Sequence, residues 1–91
     1  MNHSDDVIAS CVLRLLEQRS PTASICPSEV ARSLEQNEAQ WRALMPEVRR
    51  VAAALAAAQV IDMTQGDARI DPDSKPEGPI RLRRGMHFKH S

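Results

Sequence analysis

Aromatic side chains are almost missing from this sequence, which has no tyrosine, one tryptophan (Trp41) and one phenylalanine (Phe88). Modules that hold single-stranded nucleic acid stack successive bases on aromatic rings, so that class is disfavoured. Glycine is also scarce, three in 91 residues, and none belongs to a phosphate-cradling loop or a dinucleotide fingerprint. The two cysteines, Cys11 and Cys26, lack the paired spacing of a zinc site, and both are expected to be free thiols. The longest apolar run, residues 51–58, is mostly alanine and falls far short of the roughly 20 residues that cross a bilayer. No membrane span is expected. The opening, Met1-Asn2-His3-Ser4-Asp5-Asp6, is acidic and polar where an export signal has a basic start and an apolar run. With unpaired cysteines, this points to a cytoplasmic location.

What the chain does have is charge of both signs, unevenly spread around a net of zero. Residues 1–40 are acidic, with Asp5, Asp6, Glu17, Glu29, Glu35 and Glu38 against Arg14, Arg19 and Arg32. Residues 41–60 are basic through Arg42, Arg49 and Arg50, opposed by Glu47. The next stretch, 61–79, is acidic again through Asp62, Asp67, Asp71, Asp73 and Glu77, and the end is basic through Arg81, Arg83, Arg84 and Lys89. Two basic patches are therefore separated by an acidic one.

Val7, Ile8, Cys11, Val12, Leu15 and Leu16 recur as pairs every four residues and predict a helix over about 5–19, stopped by Ser20-Pro21. Ser24 and Ile25 read as a short extended piece, followed by a second helix over 27–35 with Pro27 in its first position. Trp41, Leu44, Met45, Val48, Val51, Ala52 and Leu55 form a third stripe. Pro46 interrupts it, so a short turn at 38–44 and a main helix at 46–58 are expected. From residue 60 the period changes to alternation. Strands are expected at 60–65 and 79–84, joined by a long tip rich in proline and aspartate. Residues 85–91 have little apolar content and are expected to form a flexible tail beyond a single domain at 1–84.

Three helices followed by a two-stranded antiparallel hairpin make a mainly α fold in the element order of a winged helix-turn-helix. A plain three-helix bundle with an accessory hairpin is the competing arrangement. Four segments carry a resemblance as well: Ile25-Cys26-Pro27-Ser28-Glu29-Val30-Ala31-Arg32, Trp41-Arg42-Ala43-Leu44-Met45-Pro46-Glu47-Val48-Arg49, Thr64-Gln65-Gly66 and Gly78-Pro79-Ile80-Arg81. In these the chain resembles a bacterial family of short proteins of unknown function, over roughly residues 7–84. The resemblance implies a winged helix and no particular activity.

A core this small leaves little room for an enclosed substrate pocket, and no serine elbow or paired-cysteine motif is present, so the expectation is a binding module, not an enzyme. No cofactor or metal is expected. Duplex DNA and another protein are the two candidate partners, the first giving a DNA-binding or transcription-associated module. Arg42, Arg49 and Arg50 would reach a major groove from the third helix, or else form a solvated face with Arg–Glu pairs. Arg81, Arg83 and Arg84 would grip phosphate from the wing, or else Arg81 would pair with Asp62 across the hairpin. Net local charge favours Arg49 and Arg50 over the wing arginines, whose hairpin carries five acids near any duplex. Trp41 is expected as a core anchor. Cys26 lies at a helix start without a histidine positioned as its base, so it reads as a structural thiol. His87-x-x-His90 offers two ligands where a structural metal site needs four.

Overall fold

Each helix begins at a residue chemically suited to start one. In the computed structural model, which describes residues 3–74 and 76–89, the Ser4 hydroxyl accepts a hydrogen bond from the Val7 amide at 3.2 Å and opens α1 (Asp5–Glu17). Pro27 occupies the first position of α2 (Pro27–Leu34), and the Glu29 carboxylate reaches back to accept from the Cys26 amide at 2.7 Å. Asn37 accepts from the Gln40 amide at 3.2 Å and opens α3 (Glu38–Ala57).

The break expected at Pro46 is absent, and α3 runs through it as one helix. Proline removes one helical hydrogen bond and costs about 3 kcal/mol in a helix interior. Here Pro46 is exposed, and so is Arg42, whose carbonyl loses its partner one turn back, so water can bind that carbonyl. Leu44 and Val48 lie on either side of the proline in the same core, and this shared packing keeps the helix continuous. The far end closes with the Gln59 amide on the Ala56 carbonyl at 2.9 Å and the Val60 amide on the Leu55 carbonyl at 3.0 Å. This is the paired closure that usually places glycine in the left-handed position; Gln59 occupies it, with φ of 63°.

Among the described residues the strands number four, not the two expected: β1 (Ser24–Ile25), β2 (Ile61–Gln65), β3 (Ala68–Arg69) and β4 (Arg81–Arg84), side by side in the order β1-β4-β2-β3 and all antiparallel. One extra strand arises because Gly66, at φ 61°, turns the chain back at once, so Gln65 pairs with Ala68 before the long loop begins. The other is the extended piece after α1, which pairs Ser24 with Arg83 and Ile25 with Leu82. The loop after β3 contains a short 3-10 turn (Pro72–Ser74) that packs against α3. The protein is therefore a mixed α and β domain.

Its core is aliphatic. Ile8, Val12 and Leu16 of α1 meet Val30 of α2, Val48 and Ala52 of α3, and Ile25, Ile61 and Leu82 of the sheet, all buried. Ile80 is buried as well, although the strand begins one residue after it. Trp41 is not the buried anchor expected; it lies half-buried at the rim, one turn before Leu44. The stretch expected to be a free tail also packs onto the domain. Gly85 and His87 donate to the Val60 and Gln59 carbonyls at 3.0 and 2.9 Å, and Phe88 packs on the core beside the Arg84 guanidinium. Its single aromatic ring supplies the apolar area that a count over the whole tail dilutes.

Two arginines join distant segments. Arg84 donates to the last carbonyls of α1 at Leu16 and Glu17, at 3.0 and 3.4 Å, and to the Arg19 carbonyl just beyond the helix at 3.0 Å. Arg50 of α3 holds both carboxylate oxygens of Asp5 in α1, at 3.0 and 2.7 Å. These bonds keep the Asp5 carboxyl below the ordinary value of 3.8.

Expected outcomes from this architecture concern backbone fit first and pH second. A Cβ on Gly85 would collide with the Gln59 carbonyl oxygen and lie 2.9 Å from the backbone of Ile61, so Gly85→Ala should destabilise the fold by about 1–3 kcal/mol in urea unfolding. Gln59→Gly, by relieving the left-handed strain at the end of α3, should stabilise it by about 0.5–1 kcal/mol. The second outcome concerns pH. Because the folded pKa of Asp5 is lowered, the stability it contributes is fully present above its unfolded value and is lost as pH falls through the folded one. Asp5→Asn should therefore melt below the wild type at neutral pH, and the gap should close as pH drops below about 4. A gap that persists in acid would show that the Arg50 contact is not its source.

Candidate functional site

The six arginines singled out from the sequence are all placed by regular structure, and most are bound to other parts of the chain. Arg49 on α3 donates to the carbonyls of Pro76 and Gly78 at 2.8 and 3.2 Å, which ties the long acidic loop across the helix. Gln65 holds the same loop from the sheet side, through the Glu77 and Pro79 carbonyls at 2.7 and 3.3 Å. Arg50 lies between Asp5 and Glu47. Between the loop and α3 is a hollow of about 370 Å³, lined by Pro46, Arg49, Arg50 and Ala53 on one side and Pro72, Asp73 and Pro76 on the other. The middle of α3, the segment expected to enter a groove, thus faces an acidic loop.

The wing arginines are similarly engaged. Arg81 donates through Nε to the Ser24 hydroxyl and through Nη2 to the Ser24 carbonyl, both at 2.9 Å. Arg83 donates to the Thr22 carbonyl at 3.1 Å. The alternative pairing of Arg81 with Asp62 is not made, because the register sets Arg81 opposite Thr64 and Arg83 opposite Asp62. Asp62 instead lies 3.8 Å from Arg69. Strand β1 and the residues leading into it, beyond β4, supply the acceptors that draw these guanidiniums away from β2.

Arg42 alone of the six stands at an open corner, where α2 and the start of α3 meet. It donates to Glu38 at 2.9 Å, one turn earlier on the same exposed face. Its guanidinium lies 5.0 Å from the centroid of the Trp41 ring, and that of Arg32 lies 5.3 Å from it. A half-buried indole between two cations is held by the quadrupole of its ring, and such contacts are worth about 0.5–1 kcal/mol at exposed sites. Arg32 then continues the surface toward a second, more open hollow of about 640 Å³, where Arg19 and Arg81 also stand, with Ser28 and Ser33 between them. Glu29 is its one carboxylate, paired with Arg19 at 2.7 Å.

Arg19 and Arg32 were not among the residues chosen from the sequence. Arg32 was legible in part, since its spacing from Ser28 puts the two on one face of α2. Arg19 reaches the same place only because the chain turns back after α1. Of the thiols, Cys11 is buried with its sulfur 3.9 Å from the Val30 carbonyl, whereas partly buried Cys26 lines this hollow and accepts from the Ser28 hydroxyl at 3.1 Å. Both are free. Of the histidine pair, His87 is exposed and His90 lies outside the described residues. Among the described residues, no helix is long and apolar enough to cross a membrane.

No curated protein matches this chain. The profile of the family described as "Protein of unknown function (DUF3253)" matches residues 5–85, and the chain belongs to that family.

Proposed function

We propose that the chain is a winged-helix domain that works as a protein-interaction module, docking a partner on the corner formed by α2 and the start of α3. Support for the winged-helix reading comes from the order helix, strand, helix, helix, hairpin, with the final strand inserted between β1 and β2. The observation that carries the functional reading is Trp41, partly exposed at the rim of the core between Arg32 and Arg42. Tryptophan and arginine are the residues most enriched among binding hot spots, where a rigid apolar surface is rimmed by donors. Duplex DNA is the second reading. What favours it is the polar surface at the start of α3, where Asn37, Gln40 and Arg42 are exposed. Set against it are the acidic loop over the middle of α3 and the internal bonds of Arg49 and Arg50, which weaken the cationic field that duplex affinity depends on.

A photo-crosslinking side chain at exposed Gln40, in the full chain expressed in its own cells, tests the proposal. A protein adduct is expected, and the purified partner should bind the wild type at least about 30-fold more tightly than Trp41→Ala, a hot-spot effect of about 2 kcal/mol. That substitution should lower stability by only about 1–2 kcal/mol, less than the roughly 3–5 of a fully buried tryptophan, because the indole packs at the rim of the core and stays partly in solvent. Tight binding of duplex DNA, with a steep salt dependence that becomes shallower in Arg32→Ala with Arg42→Ala, would overturn the protein reading in favour of DNA.

A further inference from the structure

We infer that the hollow beside the docking corner receives a phosphorylated side chain of the partner. This rests on reading the corner as a protein-docking surface and adds the chemistry of what it takes. Guanidiniums arrive there from three separate parts of the chain: Arg19 after α1, Arg32 on α2 and Arg81 on β4. Ser28 and Ser33 also line the hollow, their hydroxyls donating to the Cys26 sulfur and the Glu29 carbonyl, and Glu29 is its single acid.

The donors outnumber what the chain itself uses. A guanidinium carries five N–H donors. Arg19 gives one to Glu29, Arg32 one to Ser28 at 3.4 Å, and Arg81 two to Ser24. A carboxylate offers one charge and two acceptor oxygens, which a single guanidinium fork can match, whereas a phosphate monoester brings about −1.5 to −2 of charge and three strong acceptor oxygens. Three cations around one open hollow of about 640 Å³ match the second ligand better than the first. Arg32 also lies over Trp41, so a phosphate here would be continuous with a segment seated on the indole. That continuity points to a phosphopeptide as the source. A duplex would instead bring a line of phosphates toward a chain of zero net charge whose β3–β4 loop carries Asp71, Asp73 and Glu77.

The test uses the full-length, ¹⁵N-labelled protein with four probes: a short alanine-flanked phosphoserine peptide, its unphosphorylated twin, inorganic phosphate and a short DNA duplex. Saturable amide shifts confined to residues 28–33 and the neighbourhoods of Arg19 and Arg81 are expected with the phosphopeptide and not with its twin. Arg19→Gln and Arg32→Gln should each weaken that binding about tenfold, the effect of losing one charge-assisted hydrogen bond. Glu29→Gln should tighten it severalfold, since glutamine can still accept from the Cys26 amide while no longer occupying Arg19. Arg19→Gln keeps the test open if replacement of Arg81 disturbs β1. Equal shifts with both peptides, or none, would overturn the inference. So would inorganic phosphate binding as tightly as the phosphopeptide, or the duplex binding more tightly and losing affinity in the same variants. A purified partner that depends on Trp41 but ignores Arg19→Gln would remove the phosphate site and leave the docking surface standing.

Discussion

Strand β4 closes this fold. It enters the sheet between a strand that precedes α2 and one that follows α3, so its backbone joins the two ends of the helical layer. Leu82, fully buried, points from it into the core, and Ile80 joins it there from just ahead of the strand. The strand's arginines secure what lies on either side: Arg81 and Arg83, which alternate with Ile80 and Leu82, hold the residues leading into α2, and Arg84 satisfies the last carbonyls of α1. Without β4, β1 would lose its pairing partner, α1 would lose that cap, and much of the small aliphatic core would face water. A domain of this size buries only roughly 60–65% of the surface its unfolded chain exposes, so few such contacts are dispensable.

The same economy of parts shapes the electrostatics. Arginine is well suited to binding backbone carbonyls, because its planar fork donates in fixed directions and stays charged in any ordinary environment. Arg49, Arg81, Arg83 and Arg84 all serve in that way here, and Arg50 bridges two carboxylates. A cation already turned toward an internal acceptor has less field to offer a partner. The surface that retains donors and a partly exposed ring is consequently the α2–α3 corner, where Arg32 and Arg42 flank Trp41 and Arg19 closes the far side. Charge location, more than charge amount, sets where this neutral chain can bind.

Continuous α3 illustrates how tertiary packing overrides a local rule. Pro46 by itself argues for two helices, and the polar residues before Trp41 support that division. Apolar side chains on both sides of the proline nonetheless insert into one core, and the carbonyl left unpaired is open to water. Gln59 shows the reverse bias: nothing in its side chain requests a left-handed backbone, and the closure of α3 against β2 imposes one.

The positions of α1 and α2, the change of period at residue 60 and the buried alternation of Ile80 and Leu82 were determined by the sequence alone, because each depends on apolar spacing and capping chemistry within a few residues. The distant partners of the arginines, the pairing of β1 and β3 into the sheet, the rim position of Trp41 and the docking of Phe88 were decided only in three dimensions, whereas the Arg42–Glu38 and Arg50–Glu47 pairs follow from helical spacing. Ser24 and Arg81 are 57 positions apart, and Asp5 and Arg50 are 45. Local pattern holds no information about which acceptor a guanidinium will find at that separation. That depends on strand register and on how the loop returns over α3, and both follow from the closing of the core as a whole.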